Sequence, residues 1–457
     1  MKSDAAAPAV VIVGGGFSGT MAAAELARRG MASLLVESGG LAGQGIAYST
    51  REAAHLLNVP AAKMSAWAGA PADFAEAVAE DFAPGEFVPR ARFGEYLRGI
   101  LDEARASGLV RVAEAVAVSA VRADGGWRVS LNDGGEVAAD ALVLAQGNQP
   151  PEPMAVANGI SPGLFVNNPW RGEAAEAVAR VADSGGDALI LGTGLTMVDM
   201  VLSLDAAGHR GRIVALSRRG QIPRAHAAHD AAPVELEDVP AGNVLPLWRW
   251  LRRRSAAVGW RAAVDGLRPH SQAIWLGLDE QQQRRFLRHA RPWWDVHRHR
   301  IAPQVVERLR EMVGEGRLEI IAGRVLAMRE SGDGLAVEVV RRGSPLTPLS
   351  FGESPSPARG EGLFAIAFNC TGPLGAIGRT GDALLGQMID DGLVAIDRLG
   401  MGIEVDGGSR AGVGVWALGP LTKGVFWEVV AVPDIRGQVA AVAEDIAKEV
   451  DHARKPG

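Results

Sequence analysis

Three glycines near the start of the chain have the spacing of a loop that wraps a pyrophosphate. Gly14, Gly16 and Gly19 follow the apolar run 10–13 in G-x-G-x-x-G order. The first glycine of such a loop permits a tight turn, the second lets a phosphate approach the backbone, and the third lets helix pack on strand. Glu37 ends the next apolar run, where a carboxylate can accept hydrogen bonds from ribose hydroxyls. The stretch predicts a dinucleotide-binding βαβ unit rather than an ordinary βαβ turn.

A second glycine turn lies farther along the chain. The apolar run 188–191 meets Gly192 and Gly194, but Met197 takes the third glycine position. This copy of the motif is therefore degenerate, and we expect looser packing between its helix and strand.

The strand after the second motif ends in basic residues instead of an acid. Ser217, Arg218 and Arg219 follow the predicted strand 212–216. An acid at this place would repel a 2′-phosphate, whereas a hydroxyl and two guanidinium groups would bind one. The second motif is therefore predicted to prefer NADPH over NADH, although two exposed arginines after a strand are unremarkable by themselves.

Composition excludes several classes of protein. The net charge of −6 argues against a general affinity for nucleic acid, and Cys370 is the only cysteine, which excludes an internal disulfide and a dithiol redox centre. No apolar run has transmembrane length and no targeting segment is evident, so a cytoplasmic location is expected. His297 and His299 are two apart and do not share a helix face, so no metal site is expected.

The length of 457 residues suggests two or three domains. We predict a first nucleotide-binding domain that begins with residues 1–155 and is completed by 341–457. A second domain is expected at 156–340, with a mostly helical insertion at about 233–312. The proline-rich stretch 344–362 is predicted to be a flexible loop. Alternating residues within 109–138 predict a small antiparallel meander.

The chain resembles the FAD/NAD(P)-binding family of two-dinucleotide-binding-domain flavoproteins, which is related to flavin-dependent monooxygenases and more distantly to the glutathione-reductase fold. The resemblance rests on six stretches: 14–19, 45–48, 55–59, 192–196, 217–220 and 433–436. It implies an α/β protein with two Rossmann-like, glutathione-reductase-type nucleotide-binding domains and a helical insertion. The chain departs from the Baeyer–Villiger signature at 165–170, which lacks the signature's glycine and histidine, so that chemistry is not assigned.

The motifs and the resemblance together imply FAD at the first motif and NADPH at the second. The expected cofactor-binding residues are Gly14, Gly16, Phe17, Ser18, Gly19, Glu37, Ser38, His55, Asn58, Met64, Arg90, Gln146, Gly147, Gly192, Gly194, Leu195, Thr196, Ser217, Arg218, Arg219, Cys370, Thr371, Gly372, Gly419, Asp434 and Ile435. Arg90 is predicted to reach a phosphate or a ring carbonyl, or else to be a solvated arginine at a helix start. Cys370 is expected to be a small buried residue rather than a nucleophile.

Pro420 stands where related flavoproteins have an aspartate that binds the ribityl chain of FAD. Asp434, just before the last helix, is a candidate to replace it, and the alternative is a simple helix cap. The catalytic residues are not identified by the sequence, and Asn58, Trp294 and His297 are the candidates.

The helical insertion holds six of the eleven tryptophans, together with several arginines and histidines. It is either a tryptophan-cored cap with solvated basic residues or a lid over the flavin that binds an anionic or polar aromatic substrate.

The sequence predicts an NADPH-dependent FAD oxidoreductase, a monooxygenase that hydroxylates a small polar or aromatic substrate with O2. One alternative is an NAD(P)H-dependent flavin reductase or electron-transfer protein without oxygen insertion, and another is a non-catalytic nucleotide sensor. The expected partners are a small-molecule substrate and O2, without nucleic acid or membrane, in a monomer or homodimer.

Overall fold

The computed structural model describes residues 8–123, 125–341 and 359–454, and within these ranges it leaves out the side chains of 359–361 and 451–454. The strands are β1 (Val10–Val13), β2 (Ser33–Glu37), β3 (Val110–Glu114), β4 (Ala117–Ala123), β5 (Gly126–Leu131), β6 (Glu136–Ala139), β7 (Ala141–Leu144), β8 (Phe165–Val166), β9 (Ala188–Leu191), β10 (Ile213–Ser217), β11 (Leu318–Ser331), β12 (Gly334–Arg341), β13 (Arg359–Phe364), β14 (Ile366–Asn369), β15 (Arg410–Gly412) and β16 (Val415–Ala417).

The helices are α1 (Phe17–Arg28), α2 (Gly45–Tyr48), α3 (Asp73–Ala77), α4 (Arg90–Ala106), α5 (Gly172–Ser184), α6 (Leu195–Ala206), α7 (Val244–Val258), α8 (Trp260–Leu267), α9 (Ser271–Leu276), α10 (Glu280–Arg285), α11 (Arg291–Arg298), α12 (Pro303–Gly314), α13 (Ala383–Asp390) and α14 (Val432–Arg454). Among the residues described, no helix is both long and apolar enough to cross a membrane.

The first sheet has the strand order β15-β16-β7-β1-β2-β3, and all its pairs are parallel except β15 with β16. Every residue of β1 and β7 is buried, because helices and a small third sheet, formed by β4, β5 and β6, cover the two faces of the first sheet. Such double coverage explains the uninterrupted apolar runs of the central strands.

The predicted meander at 109–138 is wrong for its first strand. β3 joins the large sheet parallel to β2, whereas only β4, β5 and β6 form the small antiparallel sheet. The reason is that α4 immediately precedes β3 and supplies the crossover that a parallel strand requires.

The second sheet has the order β13-β12-β11-β10-β9-β14-β8. Its strands from β11 to β8 are parallel, and β12 and β13 extend it as antiparallel partners of β11. Most of the predicted flexible loop lies outside the described residues, and from Arg359 onward the chain is already in β13.

The helical insertion has a hydrophobic core of its own. Residues of α7 to α11 pack together with Leu399, Met401 and Trp427 of the C-terminal part. In contrast, Leu309 and Met312 of α12 are buried in the core of the second domain. The predicted insertion at about 233–312 therefore includes one helix, α12, that packs with the second domain.

Candidate dinucleotide sites and the interface between them

The turn between β1 and α1 has room for glycine alone at two positions. Gly14 has φ +105°, and a Cβ there would lie 2.4 Å from the carbonyl oxygen of Ala145. A Cβ on Gly19 would lie 1.8 Å from the carbonyl oxygen of Gly14. The backbone of α1 can therefore start directly over the end of β1, which leaves the N–H groups of the helix start free for a phosphate.

Glu37 lies at the end of β2 as expected, and its carboxylate holds the loop. Its Oε2 accepts a hydrogen bond from Gly15 N at 2.6 Å, and its Oε1 accepts one from Gly39 N at 3.1 Å. Each carboxylate oxygen can accept a further hydrogen bond. Ser38 is exposed next to it. The pair is placed where the sequence predicts a ribose contact.

Distant predicted residues meet at the start of α1. A Cβ on Gly419 would lie 2.7 Å from Ser18 Oγ and 3.6 Å from the Ile435 side chain. Ser18 and Phe17 are buried there, and Met64 belongs to the same hydrophobic core. The fold thus brings the first motif, the chain after β16 and the start of α14 to one place.

Gln146 leaves its polar atoms without partners beside this loop. Its backbone N lies 2.9 Å from where a Cβ of Gly14 would be, and both polar atoms of its side-chain amide are buried with no hydrogen-bond partner among the residues that the structure describes. Buried amide groups are normally hydrogen-bonded, so unpaired ones call for a missing partner. The glycine cradle and the orphaned amide fit a bound dinucleotide, with Gly147, in the left-handed region at φ +66°, continuing the loop.

The second loop repeats the geometry of the first. Gly192 has φ +109°, and a Cβ there would lie 2.2 Å from Cys370 O and 3.1 Å from Thr371 N. Gly194 precedes α6 in an extended conformation, as Gly16 precedes α1. Cys370 is buried, and burial raises the pKa of its thiol, so it is a packing residue of this turn.

The end of β10 presents the predicted 2′-phosphate residues. Ser217 Oγ lies 2.8 Å from Thr193 Oγ1 and accepts a hydrogen bond from Gly220 N at 3.0 Å, which fixes the turn. Arg218 is exposed and Arg219 is partly buried, and neither forms an ion pair with any residue that the structure describes. Two guanidinium groups without a carboxylate partner among the described residues thus lie at the strand end where the sequence predicts a contact with a 2′-phosphate, and that contact stays a prediction.

His55 and Arg90 join the two domains to each other. Arg90 forms a two-point ion pair with Asp199 of α6, at 2.8 and 3.0 Å, and its Nε donates to Leu56 O. His55 Nε2 lies 2.9 Å from the carbonyl oxygen of Asp199, and its Nδ1 lies 2.8 Å from Thr50 Oγ1. Both side chains are thus engaged between the domains, and their contact with a cofactor stays a prediction.

The start of α14 faces arginines of the insertion. Asp434 lies 3.5 Å from Arg268 and 3.8 Å from Arg298, and burial raises the pKa of its carboxyl. Glu428 is buried at a left-handed φ of +67° and accepts hydrogen bonds from Arg298 Nε, at 3.1 Å, and from the indole of Trp294. A non-glycine residue held in this conformation marks a tightly constrained segment.

The candidate catalytic residues lie in two places. The carbonyl oxygen of Asn58 is 2.8 Å from His226 Nε2, and the ring of His297 packs edge-on against Trp260 at 4.9 Å. Trp294, on the same helix as His297, lines an apolar cavity. Within the described residues, no group of histidine, cysteine and acidic side chains could hold a metal ion.

That cavity is a partly open hollow in the insertion, with about 530 Å³ of empty space when its solvent-filled mouth is included. Its walls are formed by apolar side chains of α7 to α11 and by Trp427. The hydroxyl of Ser271 faces it and has no hydrogen-bond partner among the described residues. The tryptophans of the insertion, which are predicted to form the core of a cap, therefore leave a space that a small apolar group can enter.

Residues 11–149 match the model of a family described as FAD-NAD(P)-binding. This chain carries an FAD/NAD(P)-binding domain. FAD and NAD(P) are thereby confirmed as its cofactor class, and the domain includes the first glycine loop, Glu37 and Gln146. No curated protein matches the chain in sequence.

Solved structures share the fold of the whole chain around this FAD/NAD(P)-binding domain. The ornithine N-hydroxylase of Kutzneria sp. 744 has a TM-score of 0.63 at 15% identity, covering 97% of this chain and 99% of its own. The L-lysine 6-monooxygenase of Pseudomonas syringae has a TM-score of 0.61 at 17% identity, covering 98% and 100%. The thioredoxin reductase of Lactococcus lactis has a TM-score of 0.53 at 14% identity, covering 97% and 99%. The predicted two-domain flavoprotein fold is confirmed.

Sequence reasoning missed the residues that line the interface between the domains and the insertion. Arg224, His226 and Arg261 follow no motif, and nothing in the sequence brings them together. Glu428 is also missed, because a left-handed φ at a glutamate leaves no sequence signal. The unusual content of arginine and tryptophan in the insertion was the one available indication.

Proposed function

We propose that this protein is an NADPH-dependent FAD monooxygenase that acts on a small polar or aromatic molecule. One observation carries the proposal: the helical insertion closes over the chain that leads into α14. Trp275 Nε1 donates to Gly424 O at 2.9 Å, and Gln272 Nε2 donates to Val425 O at 3.0 Å. Since the start of α14 lies beside the first glycine loop, the insertion covers the side of the FAD domain where a substrate would approach.

A covered site suits an oxygenase better than an electron carrier. Bound FAD would supply hydride acceptance and reaction with O2, and the protein would supply binding, orientation and exclusion of water. The buried ion pair of Arg298 with Glu428 anchors the insertion to the segment that leads into α14. An electron carrier needs an open face for its partner instead.

Two further features support the details of the proposal. Arg218 and Arg219, which form no ion pair with the described residues, favour NADPH, because a 2′-phosphate would neutralise them. The single cysteine, Cys370, is buried, so the dithiol exchange that would define a disulfide reductase has no residues here.

The test is a measurement of electron use by the FAD-loaded enzyme. Oxygen uptake, NADPH consumption and hydrogen peroxide release would be followed with a panel of small carboxylic acids, amines and phenols. A compound that raises NADPH consumption, lowers the peroxide released per NADPH and yields an oxygenated product supports the monooxygenase. Fast anaerobic reduction of the flavin combined with transfer to quinones or dyes, and with full peroxide release for every compound, would favour the reductase. A flavin that NADPH does not reduce would point to a nucleotide sensor.

A further inference from the structure

Basic and aromatic side chains from three segments meet between the second domain, the insertion and the FAD domain. Residues 224–229 follow β10, α8 begins with Trp260 and Arg261, and the end of α11 leads to Arg300. We call this group of side chains the basic cluster, and its members are Arg224, His226, His229, Trp260, Arg261, Asp265, His297 and Arg300.

Backbone hydrogen bonds fix the geometry of the basic cluster. Arg224 N donates to Val296 O at 2.9 Å, and Ile301 N donates to Arg224 O at 3.0 Å. The guanidinium of Arg261 donates to the next carbonyl, that of Ala225, at 2.8 and 3.2 Å. The three segments are therefore held in register, and the arginine side chains project from a rigid frame.

Arg224 is a partly buried cation without an anion. Its guanidinium has no hydrogen-bond or ion-pair partner among the residues that the structure describes. Burial lowers its pKa from the ordinary value, which is the sign of a charge whose lost hydration is not replaced. An unpaired charge that is partly withdrawn from water is costly unless a ligand completes it.

The charges within the basic cluster do not balance. Asp265 is its carboxylate, and Arg300 donates to both of its oxygens, one bond being 3.1 Å long, while His229 Nε2 lies 3.0 Å away. Arg261 donates to a backbone carbonyl, which carries no charge that could neutralise the guanidinium. Burial and the nearby charges of Arg300 and Arg224 lower the pKa of Arg261. The cluster thus has three guanidinium groups for one carboxylate, and an added anion would reduce this excess of positive charge.

An aromatic wall and neutral imidazoles surround these cations. The guanidinium of Arg261 lies 4.3 Å, and that of Arg300 5.2 Å, from the ring centre of Trp260. Burial lowers the pKa of His226 to about 4 and lowers that of His297, so both rings are neutral near pH 7. They can therefore contact an aromatic or polar group without adding to the positive charge.

The basic cluster also touches the FAD domain. His226 Nε2 contacts the carbonyl oxygen of Asn58 at 2.8 Å, and the His226 ring packs against Phe87 at 5.0 Å. The segment that contains Asn58 continues to Met64, in the core that also holds Phe17 and Ile435 of the first nucleotide site. The basic cluster therefore lies against the loop of the FAD domain that contains Asn58.

We propose that Arg224 and Arg261 bind the carboxylate of the enzyme's small-molecule substrate, with Trp260 packing against its organic part. This inference deepens the proposed function, because it gives the substrate a negative charge that a neutral polar or aromatic compound lacks. Charge-assisted hydrogen bonds to a carboxylate supply both affinity and orientation. The same guanidinium groups could meet a phosphate of NADPH, and the experiment separates these two anions.

Binding is measured on the FAD-loaded protein by calorimetry and by tryptophan fluorescence. The probes are acetate, benzoate and phenylacetate, each compared with its neutral amide, and NADP+ is titrated separately. We expect at least one acid to bind more tightly than its amide. Arg224→Gln should weaken that acid by about tenfold to a hundredfold, the range for a charge-assisted hydrogen bond, and leave NADP+ binding unchanged.

Arg252→Gln is the matched control, since Arg252 is an exposed arginine on α7 of the same insertion. It should bind the acid as the wild type does. Arg261→Gln provides a second test of the site, and flavin content and melting temperature show that each variant is folded. The Arg224 guanidinium has no hydrogen-bond or ion-pair partner among the described residues, so its replacement removes no polar contact of the fold.

Three results would overturn the carboxylate site. The first is that no acid of the panel binds more tightly than its amide. The second is that neither Arg224→Gln nor Arg261→Gln weakens the binding of the acid. The third is that Arg224→Gln weakens the binding of NADP+ and leaves that of the acid unchanged, which would assign the cluster to a cofactor phosphate. Anaerobic reduction of the flavin by NADPH is recorded in the same samples. If NADPH does not reduce the flavin of the wild-type protein but the acid still binds, the proposed oxidoreductase function is rejected and the anion site is retained.

Discussion

The two glycine loops are built alike but differ in what surrounds them. A Cβ on Gly14 would meet Ala145 O at 2.4 Å, and a Cβ on Gly192 would meet Cys370 O at 2.2 Å. The N–H of Gly14 donates to the carbonyl oxygen of Val36, the fourth residue of β2, at 2.8 Å. The N–H of Gly192 donates in the same way to Leu216, the fourth residue of β10, also at 2.8 Å. The backbone conformation is thus common to both, even though the second motif is degenerate.

The difference lies at the third glycine position and at the end of the following strand. Gly19 allows α1 to contact the loop directly, whereas Met197 is completely buried and fills the hydrophobic core of the second domain. Glu37 accepts a hydrogen bond from the first loop, whereas the strand after the second loop ends in Ser217 and two arginines that form no ion pair with the described residues. The two turns therefore share the geometry that their first glycine allows, and they differ in the packing at the third position and in the charge at the end of the following strand.

The largest expected effect comes from the third position of the glycine motif, which is Gly19 in the first loop and Met197 in the second. Gly19→Ala would place a Cβ 1.8 Å from Gly14 O, so α1 must move away from the loop. We expect the purified protein to retain almost no flavin, because the backbone N–H groups predicted to face the pyrophosphate would be displaced with the helix. Flavin absorbance per protein measures it.

Met197→Ala is the matched variant in the second loop. It removes a buried side chain and should lower the free energy of unfolding by about 2–5 kcal/mol, with flavin content retained. Normal flavin content in Gly19→Ala would show that the close contact is not required.

The next effect tests the ion pair between Arg90 and Asp199, which joins the two domains. Asp199→Ala leaves the buried guanidinium of Arg90 without its carboxylate, since the two side chains are 8% and 12% exposed. Removing one partner of a buried pair costs about 3–5 kcal/mol, which urea denaturation would measure. Glu280→Ala breaks the exposed pair with Arg284 and should cost less than about 1 kcal/mol. Equal costs in the two variants would contradict a buried interdomain contact.

A smaller effect concerns the strand ends. Replacing Arg218 and Arg219 together by alanine should lower kcat/KM for NADPH about tenfold to a hundredfold, because each charge-assisted contact with the 2′-phosphate is lost. The value for NADH, which lacks this phosphate, should stay the same. Steady-state reduction of the flavin with both nucleotides measures it, and a parallel loss for NADH would reject a role in phosphate recognition.

The smallest effect is a pH dependence at the contact between His226 and Asn58. Burial lowers the pKa of His226 from 6.5 to about 4, so the unfolded chain binds more protons between these values. The stabilisation is therefore fully present above pH 6.5 and is lost as the pH falls toward 4. Allowing for partial exposure, we expect it to be about 1–2 kcal/mol.

Unfolding free energies of the wild type and of His226→Gln, measured across this range, test the prediction. The variant should show a flatter profile, and replacement of the exposed His289 should leave the slope unchanged. An identical slope in His226→Gln would exclude this histidine as the source.

The sequence alone determined the two dinucleotide units. Strand, glycine loop, helix and the residue ending the next strand are close together in the chain, so local spacing specifies them, and Glu37 and Ser217 lie at the ends of their strands as expected. The helical, tryptophan-rich character of the insertion was readable for the same reason, because composition and periodicity are local properties.

Only the tertiary structure decided which surfaces these units share. His55 and Arg90 face α6 of the other domain, β3 joins the large sheet, and Arg224, Arg261 and Asn58 gather at one edge. These contacts join residues far apart in sequence, and their partners are set by the packing of domains and insertion. Such packing depends on shape and buried charge across the whole chain, which no local pattern of residues encodes.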